Sequence, residues 1–212
     1  QARIADLRGR GAEVTVVAID VADLAALEDL FDNRLARLPE LRGVVHLAGV
    51  TDGGLLVSQG ASQLTRLMQA KVQGAWNLHL LTRKRPLDFF VLYSSIAALL
   101  GAPGLGIYAG VNSFLDTLAH YRRRCGLPAL SINWGPFADL GLLVEKQLGG
   151  WLAARGMYSI SAAQGCEVFG RLLDSSEVQL GYLPFDGQKC SAYYPQLASS
   201  YFYAKLLQAP AK

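Results

Sequence analysis

Three polar side chains, Ser95, Tyr108 and Asn112, fall within the stretch FFVLYSSIAALLGAPGLGIYAGVNSFLDTLAHY. A phenol can give and recover a proton, with an ordinary pKa of about 10. A serine hydroxyl can donate a hydrogen bond to an oxygen that gathers negative charge. A carboxamide can donate and accept. Tyr108 and Asn112, at i and i+4, share one face of a helix. Ser94 and Ser95 are strand neighbours and face opposite ways. Together these groups could polarise and protonate an oxygen. Taken singly, each has a plainer role: the serines as a cap, Tyr108 as packing, Asn112 as a tolerated helix residue.

The elements that must position them follow from hydrophobic pattern. DFFVLYS (88–94) reads as a buried strand and residues 108–125 as a long helix. EVTVVAI (13–19), GVVHLAG (43–49), PALSINW (128–134) and residues 178–183 read as further strands. Residues 1–8 read as the end of a helix stopped by Gly9 and Gly11. Asp20 and Asp23 flank the start of a helix carrying Leu24, Leu27, Leu30 and Phe31. A helix at about 60–82 carries Leu64, Leu67, Val72, Ala75 and Leu78 near the 3.6 period. Residues 141–155 and 161–174 read as short amphipathic helices, and the Tyr- and Pro-rich tail from about 184 as an irregular arm. Apolar strands alternating with helices predict an α/β, Rossmann-like doubly wound parallel sheet covered on both faces. Such sheets bind ligands beyond the carboxyl ends of their strands. Asp20, Gly49, Ser95 and Gly135 all sit there.

Composition narrows the class. The chain has 212 residues, 51% hydrophobic and 17% charged, which suits one folded domain with a real core. The net charge is +3. The clusters Arg83-Lys84-Arg85 and Arg122-Arg123-Arg124 read as solvated helix ends complementing the helix dipole, so nucleic acid is not expected as a partner. Cys125, Cys166 and Cys190 have no metal or disulfide spacing, and no metal site is expected. No apolar run reaches the length of a membrane span and residues 1–20 lack a signal-peptide layout; a soluble cytoplasmic protein is expected. His46, His79 and His120 do not converge and read as packing or surface. Trp76 and Trp134 read as core aromatics.

GVVHLAG, KVQGAWNLH, FFVLYSSIA, YAGVNSFLDTLAHYRR and GLPALSINWGP, in this order and separation, resemble the ketoreductase domain of a modular polyketide synthase. That domain is of the short-chain dehydrogenase/reductase superfamily. The similarity runs from about residue 10 to 140, and more loosely to the region of Pro195. It implies NADPH-dependent reduction of a β-ketoacyl group tethered to an acyl carrier protein, among neighbouring synthase domains. It implies Tyr108 as the acid, Ser95 as donor to the carbonyl oxygen, Lys71 as the ammonium that lowers the phenol pKa, and Asn112 as the residue orienting Lys71 or a water. In most of the superfamily the lysine follows the tyrosine by four; here Asn112 holds that position and Lys71 lies on the preceding helix, a swap that polyketide ketoreductases share.

The resemblance further implies a cofactor-binding set. Asp20 and Val21 fall at the adenine, Ala48 and Gly49 at the ribose, and Gly135 and Pro136 beside the nicotinamide. Asp20 as an N-cap and the glycines as ordinary turns are the structural alternatives. Asp52, Leu100, Phe137 and Leu142 fall on the substrate side. Residues 139–160 resemble a mobile lid with a hinge at Gly149-Gly150, or else are a surface helix with a break. The two fingerprints that distinguish product configuration are both incomplete at Thr51-Asp52-Gly53 and Leu100. The expected organisation is a catalytic domain over 1–183 and a C-terminal arm or linker over 184–212.

No G-x-G-x-x-G turn between strand and helix occurs among the 22 glycines. The family's first strand, phosphate loop and second strand are expected to precede residue 1, and to lie between the strands at 13–19 and 43–49. The missing N-terminal ketoreductase segment is therefore itself an expected partner. Three alternatives stay open: the ketoreductase of an animal-type fatty acid synthase, a non-catalytic structural ketoreductase-like domain, and a free-standing dehydrogenase of small alcohols, which the lysine swap disfavours.

Overall fold

Phe89–Ser95 forms the strand on which the rest is built, because it is apolar on both faces. Phe90 and Leu92 point one way and Val91 the other, and all three are fully buried. Each such side chain contributes about 1.5–3 kcal/mol on burial. The computed structural model describes residues 2–138 and 149–194, with 199, 201 and 203. In chain order the elements are α1 (Ala2–Gly9), α2 (Leu24–Asp29), β1 (Gly43–His46), α3 (Ala61–Met68), α4 (Gly74–Thr82), β2 (Phe89–Ser95), α5 (Ala97–Leu100) and α6 (Gly106–Arg124). They continue with β3 (Leu130–Trp134), α7 (Gly149–Ala154), α8 (Ala162–Leu173), β4 (Gln179–Tyr182) and α9 (Gly187–Tyr193).

The four strands form one sheet in the order β1-β2-β3-β4. Every pairing is parallel: Val44 stands opposite Phe90, Tyr93 opposite Ile132, and Asn133 opposite Gly181. One face carries Phe90 and Leu92 against Ala75, Leu115, Leu118 and Ala119 of α4 and α6. The other carries Val91, Ile132 and Trp134 against Ile160, with Val168, Phe169 and Leu172 of α8 packed behind. The α/β parallel architecture is thus the one expected, with helices on both faces.

Five expectations are corrected. Residues 13–19 are not a strand: they run as irregular chain, with Val16 66% exposed. Their β-branched side chains have no neighbouring strand among the described residues, so the ladder that would define a strand is not made. Arg122 is not a solvated helix end but fully buried. Its guanidinium lies 3.7 Å from the Phe90 ring centroid and donates to Pro128 O and Thr82 Oγ1. It falls on the α6 face that packs on the sheet, one turn beyond Leu118. Trp76 is half-exposed, against the core role expected, whereas Trp134 is buried. The arm beyond 184 is partly helical: Asp186 caps α9, accepting from the amides of Gln188 and Lys189.

The single helix expected over 60–82 is interrupted. Gln69–Gln73 forms a π-helical turn between α3 and α4. Asp23 is the N-cap of α2, accepting from Ala26 N at 3.0 Å. Asp20 instead accepts from Ala22 N, two residues on. Residues 139–148 lie outside the described residues, and with them Leu142 and much of the lid segment. Gly149 and Gly150 open α7. No helix among the described residues is long and apolar enough to cross a membrane.

Candidate active site

The carboxyl end of β2 opens into a cavity of about 930 Å³. Ser95, Tyr108, Lys71 and Gly49 line its polar end, with Gly135 and Pro136 beyond them. Leu100, Leu105, Phe137, Trp151, Leu152 and Met157 contribute its apolar wall. Its chemistry is therefore that of a groove for a largely apolar molecule with one reactive polar group.

Strand alternation separates the two serines. Ser94 points toward α6 and donates to Asn112 O at 3.2 Å. Ser95 points to the other side, where its Oγ accepts from Ala97 N at 3.2 Å. Tyr108 and Asn112 share one face of α6, as their spacing requires. Asn112 is fully buried; its Nδ2 donates to Tyr108 O at 2.7 Å, and its Oδ1 has no hydrogen-bond partner among the described residues.

Lys71 sits on the π turn, a feature frequent at functional sites because it redirects one side chain. Its Nζ donates to Tyr93 O at 2.8 Å and lies 5.9 Å from the centre of the Tyr108 ring. Burial pushes the Lys71 ammonium down to about 8, and the negative charge of Asp116 opposes that shift. The Tyr108 phenol is pushed up by burial, while hydrogen bonding with Ser95 and Asn112 acts in the lowering direction. The resemblance implies an ammonium-lowered phenol; here burial outweighs the hydrogen bonds because the hydroxyl is largely removed from water. His46 lies beside Lys71, and burial followed by the Lys71 charge brings its imidazole down to about 4.

The glycines have steric reasons. A Cβ on Gly49 would stand 2.7 Å from Lys71 Cε. One on Gly135 would meet Leu183 Cδ1 at 2.9 Å and Tyr182 O at 3.1 Å. Asp52 forms an ion pair with Arg66 and accepts from Gly53 N; Thr51 and Gly53, but not Asp52, line the cavity. Asp20 is exposed and outside the cavity lining. Val21 packs on Gly74, where a Cβ would come within 2.5 Å of Val21 Cγ2. Asn77 holds this segment by donating to Val21 O and Ala22 O, each at 3.0 Å.

The structure adds residues that pattern reading passes over. Tyr93 contributes a backbone carbonyl, for which no sequence signal exists. Tyr194 reaches the cavity from the arm and Trp151 from α7. Asp116, one turn beyond Asn112 on the same face of α6, is visible in the sequence as a charged residue in an apolar helix. Ser131 and Asn133 are visible as polar residues within a buried strand.

A parallel α/β sheet with Ser95, Tyr108 and Lys71 gathered at a strand's carboxyl end defines the short-chain dehydrogenase/reductase class. The profile of the KR (ketoreductase) domain matches residues 1–139, and the chain belongs to that family. It is 36% identical over 217 residues, spanning all of this chain, to a phenolphthiocerol/phthiocerol polyketide synthase of Mycobacterium tuberculosis. Over 80% of the chain it is 41% identical to a phenolphthiocerol-synthesis polyketide synthase of the same species whose name marks it as inactive. The ketoreductase from the first module of phoslactomycin biosynthesis in Streptomyces sp. HK803 superposes with a TM-score of 0.87 over 99% of this chain at 32% identity. The chain spans 9% and 11% of the two synthases and 48% of that ketoreductase structure.

Proposed function

We propose that the chain carries the catalytic half of a ketoreductase that reduces a β-ketoacyl group, held as a thioester on an acyl carrier protein, to the β-hydroxyacyl product. The observation that carries the reading is the convergence of Lys71, Ser95 and Tyr108 on one largely apolar cavity, with Asn112 bonded behind them to the Tyr108 carbonyl. The residues present fit the reactive end of a nicotinamide cofactor. The Lys71 ammonium, the Tyr108 side chain and the Cβ-free backbone at Gly49 and Gly135 line one space. Lys71 with Ala48-Gly49 would hold the ribose end, and Gly135-Pro136 would flank the ring. When bound, NADPH supplies the hydride.

The chain's own groups handle the oxygen and the proton. Ser95 donates a hydrogen bond to the ketone oxygen as charge develops on it. Tyr108 gives that oxygen its proton, and the net reaction consumes one proton per ketone reduced. Lys71, already depressed to about 8, is the nearby cation able to favour the phenolate left behind. Asn112 stands behind the phenol, donating to the Tyr108 carbonyl one turn back on the same helix. The apolar wall of Leu100, Phe137 and Trp151 accepts the acyl chain.

NADPH fluorescence titration of the full protein, followed by turnover of a β-keto thioester mimic, tests this reading. Saturable binding and thioester-dependent NADPH oxidation are expected. Absence of both overturns it and favours a second reading, a bracing domain without catalysis, which the relative named as inactive keeps in view.

A further inference from the structure

We propose that Asp116 is a positioning residue that fixes the first turns of α6 against β2, and with them Tyr108 and Asn112 relative to Ser95. Asp116 lies in the middle of α6 and is 7% exposed. Two donors from β3 converge on it. Ser131 Oγ donates to Oδ1 at 2.6 Å, and Asn133 Nδ2 to Oδ2 at 2.9 Å. The same Asn133 Nδ2 lies 3.0 Å from Ser94 Oγ and 3.2 Å from Ser95 O. Ser94 then donates to Asn112 O. The chain of bonds therefore starts on α6, crosses β3 and β2, and returns to α6 one turn earlier, at a residue of the site.

The sense of the bonds from β3 and Ser94 to Asp116 and Asn112 is fixed. A carboxylate and a backbone carbonyl only accept, so Ser131, Asn133 and Ser94 must donate toward them. Asn133 cannot turn over while its Nδ2 meets the carboxylate, and its Oδ1 then accepts from Gln179 Nε2 at 2.9 Å. Gln179 Oε1 in turn meets His120 Nε2 at 3.2 Å. Facing the carboxylate are thus Ser131 and Asn133 of β3 at bonding distance and, through its charge, Lys71 of the π turn. His120 on α6 itself reaches the network only through Gln179. Removing the carboxylate leaves the buried Ser131 hydroxyl without the acceptor it meets and takes one of three from Asn133 Nδ2, which is costly, and loosens the orientation of Asn133 that holds Ser94. The Asp116 charge also favours the Lys71 ammonium against burial. The catalytic consequence rests on the reductase reading above; the positioning itself does not.

The test compares Asp116→Asn, Ser131→Ala and Leu118→Ala in the full protein. Leu118 is a buried α6 residue outside the network and serves as the packing control. For Asp116→Asn, amide exchange over residues 106–112 rises about tenfold or more, and kcat for a β-keto thioester falls about 10–100-fold, as expected for a shift of the reacting groups. Its KM and NADPH affinity stay within about threefold of the parent, as for a defect confined to the transition state. Ser131→Ala moves exchange and kcat in the same direction by less, because Asn133 still bonds Asp116. Leu118→Ala lowers thermal stability without the selective loss of kcat. Parental exchange and kcat in Asp116→Asn overturn the proposal, as does an equal kcat loss in Leu118→Ala. If Asp116→Asn does not fold, Ser131→Ala decides by the same readouts. A parent that neither binds NADPH nor reduces the thioester overturns the reductase reading alone, and exchange over 106–112 still decides the role of Asp116.

Discussion

Replacing Gly49 by alanine is expected to disable the site while leaving the fold in place. The added Cβ would stand 2.7 Å from Lys71 Cε and 3.2 Å from its Cγ. Ordinary carbon–carbon contact is about 3.5–4.0 Å, so about 1 Å of movement is required. Backbone strain is not the difficulty, because Gly49 is not among the positive-φ glycines. The lysine must move, and its end cannot do so freely, since Nζ is bonded to Tyr93 O at 2.8 Å and the side chain is buried. A displacement of that size stretches the bond beyond hydrogen-bonding range, at a cost of about 1.5–3 kcal/mol for a charged donor. Misplacement of a reacting group by about 1 Å lowers turnover about 100-fold. The assay is kcat for NADPH-dependent reduction of a β-keto thioester, with thermal unfolding measured alongside. Gly110→Ala is the control: it lies exposed within α6 and a Cβ there meets nothing within 4 Å. It is expected to be neutral or stabilising by up to about 1 kcal/mol. A Gly49→Ala protein with kcat within about threefold of the parent refutes the placement of Lys71 in the mechanism.

Tyr108→Phe removes the proton donor and is expected to lower kcat about 100-fold or more with NADPH affinity retained; retained turnover would reassign the acid. His46 binds a proton at 6.5 when unfolded and only at about 4 when folded, so stability falls as pH drops through that interval, by about 3 kcal/mol in all. Urea midpoints between pH 6.5 and 4 should show this slope in the parent and lose it in His46→Gln. Lys71 has the opposite window: its unfolded form keeps a proton up to 10.5 but its folded form only to about 8, so stability rises with pH between them. Lys71→Met should abolish that rise, and a rise that persists in the variant would place its origin elsewhere. Asn77→Ala leaves the carbonyls of Val21 and Ala22 without their donor and should cost about 1–3 kcal/mol. Hydrogen exchange should then quicken around residues 21–27, and unchanged exchange there would count against the clip.

What pattern alone could recover was set by period and spacing. The apolar run at 88–94 and the helix after it survive with ends moved by a residue or two, because both are buried on the faces their periods demand. That Ser94 and Ser95 face opposite ways follows from strand alternation, and the two hydroxyls do part company. Where pattern misled, it lacked knowledge of neighbours. EVTVVAI has the composition of a strand, but a strand is defined by a partner, and among the described residues it has none. Arg122 reads as a solvated cation until the Phe90 ring and the Thr82 hydroxyl are seen to receive it. The depressed Lys71 and the raised Tyr108 depend on burial, which no spacing encodes.

The π turn at Gln69–Gln73 constrains how this region can change by insertion or loss. Each helical residue advances the chain by about 100° around the axis. A deletion that converted this turn to ordinary α-helix would swing whatever precedes it relative to α4 by about that angle. Either Leu67 would leave the interior it fills completely, or the ammonium at residue 71 would abandon the Tyr93 carbonyl. Both anchors cannot be kept with one residue fewer. Length across this short span is therefore tied to function as tightly as residue identity. Chimeras that exchange helical segments here must carry the widened turn intact.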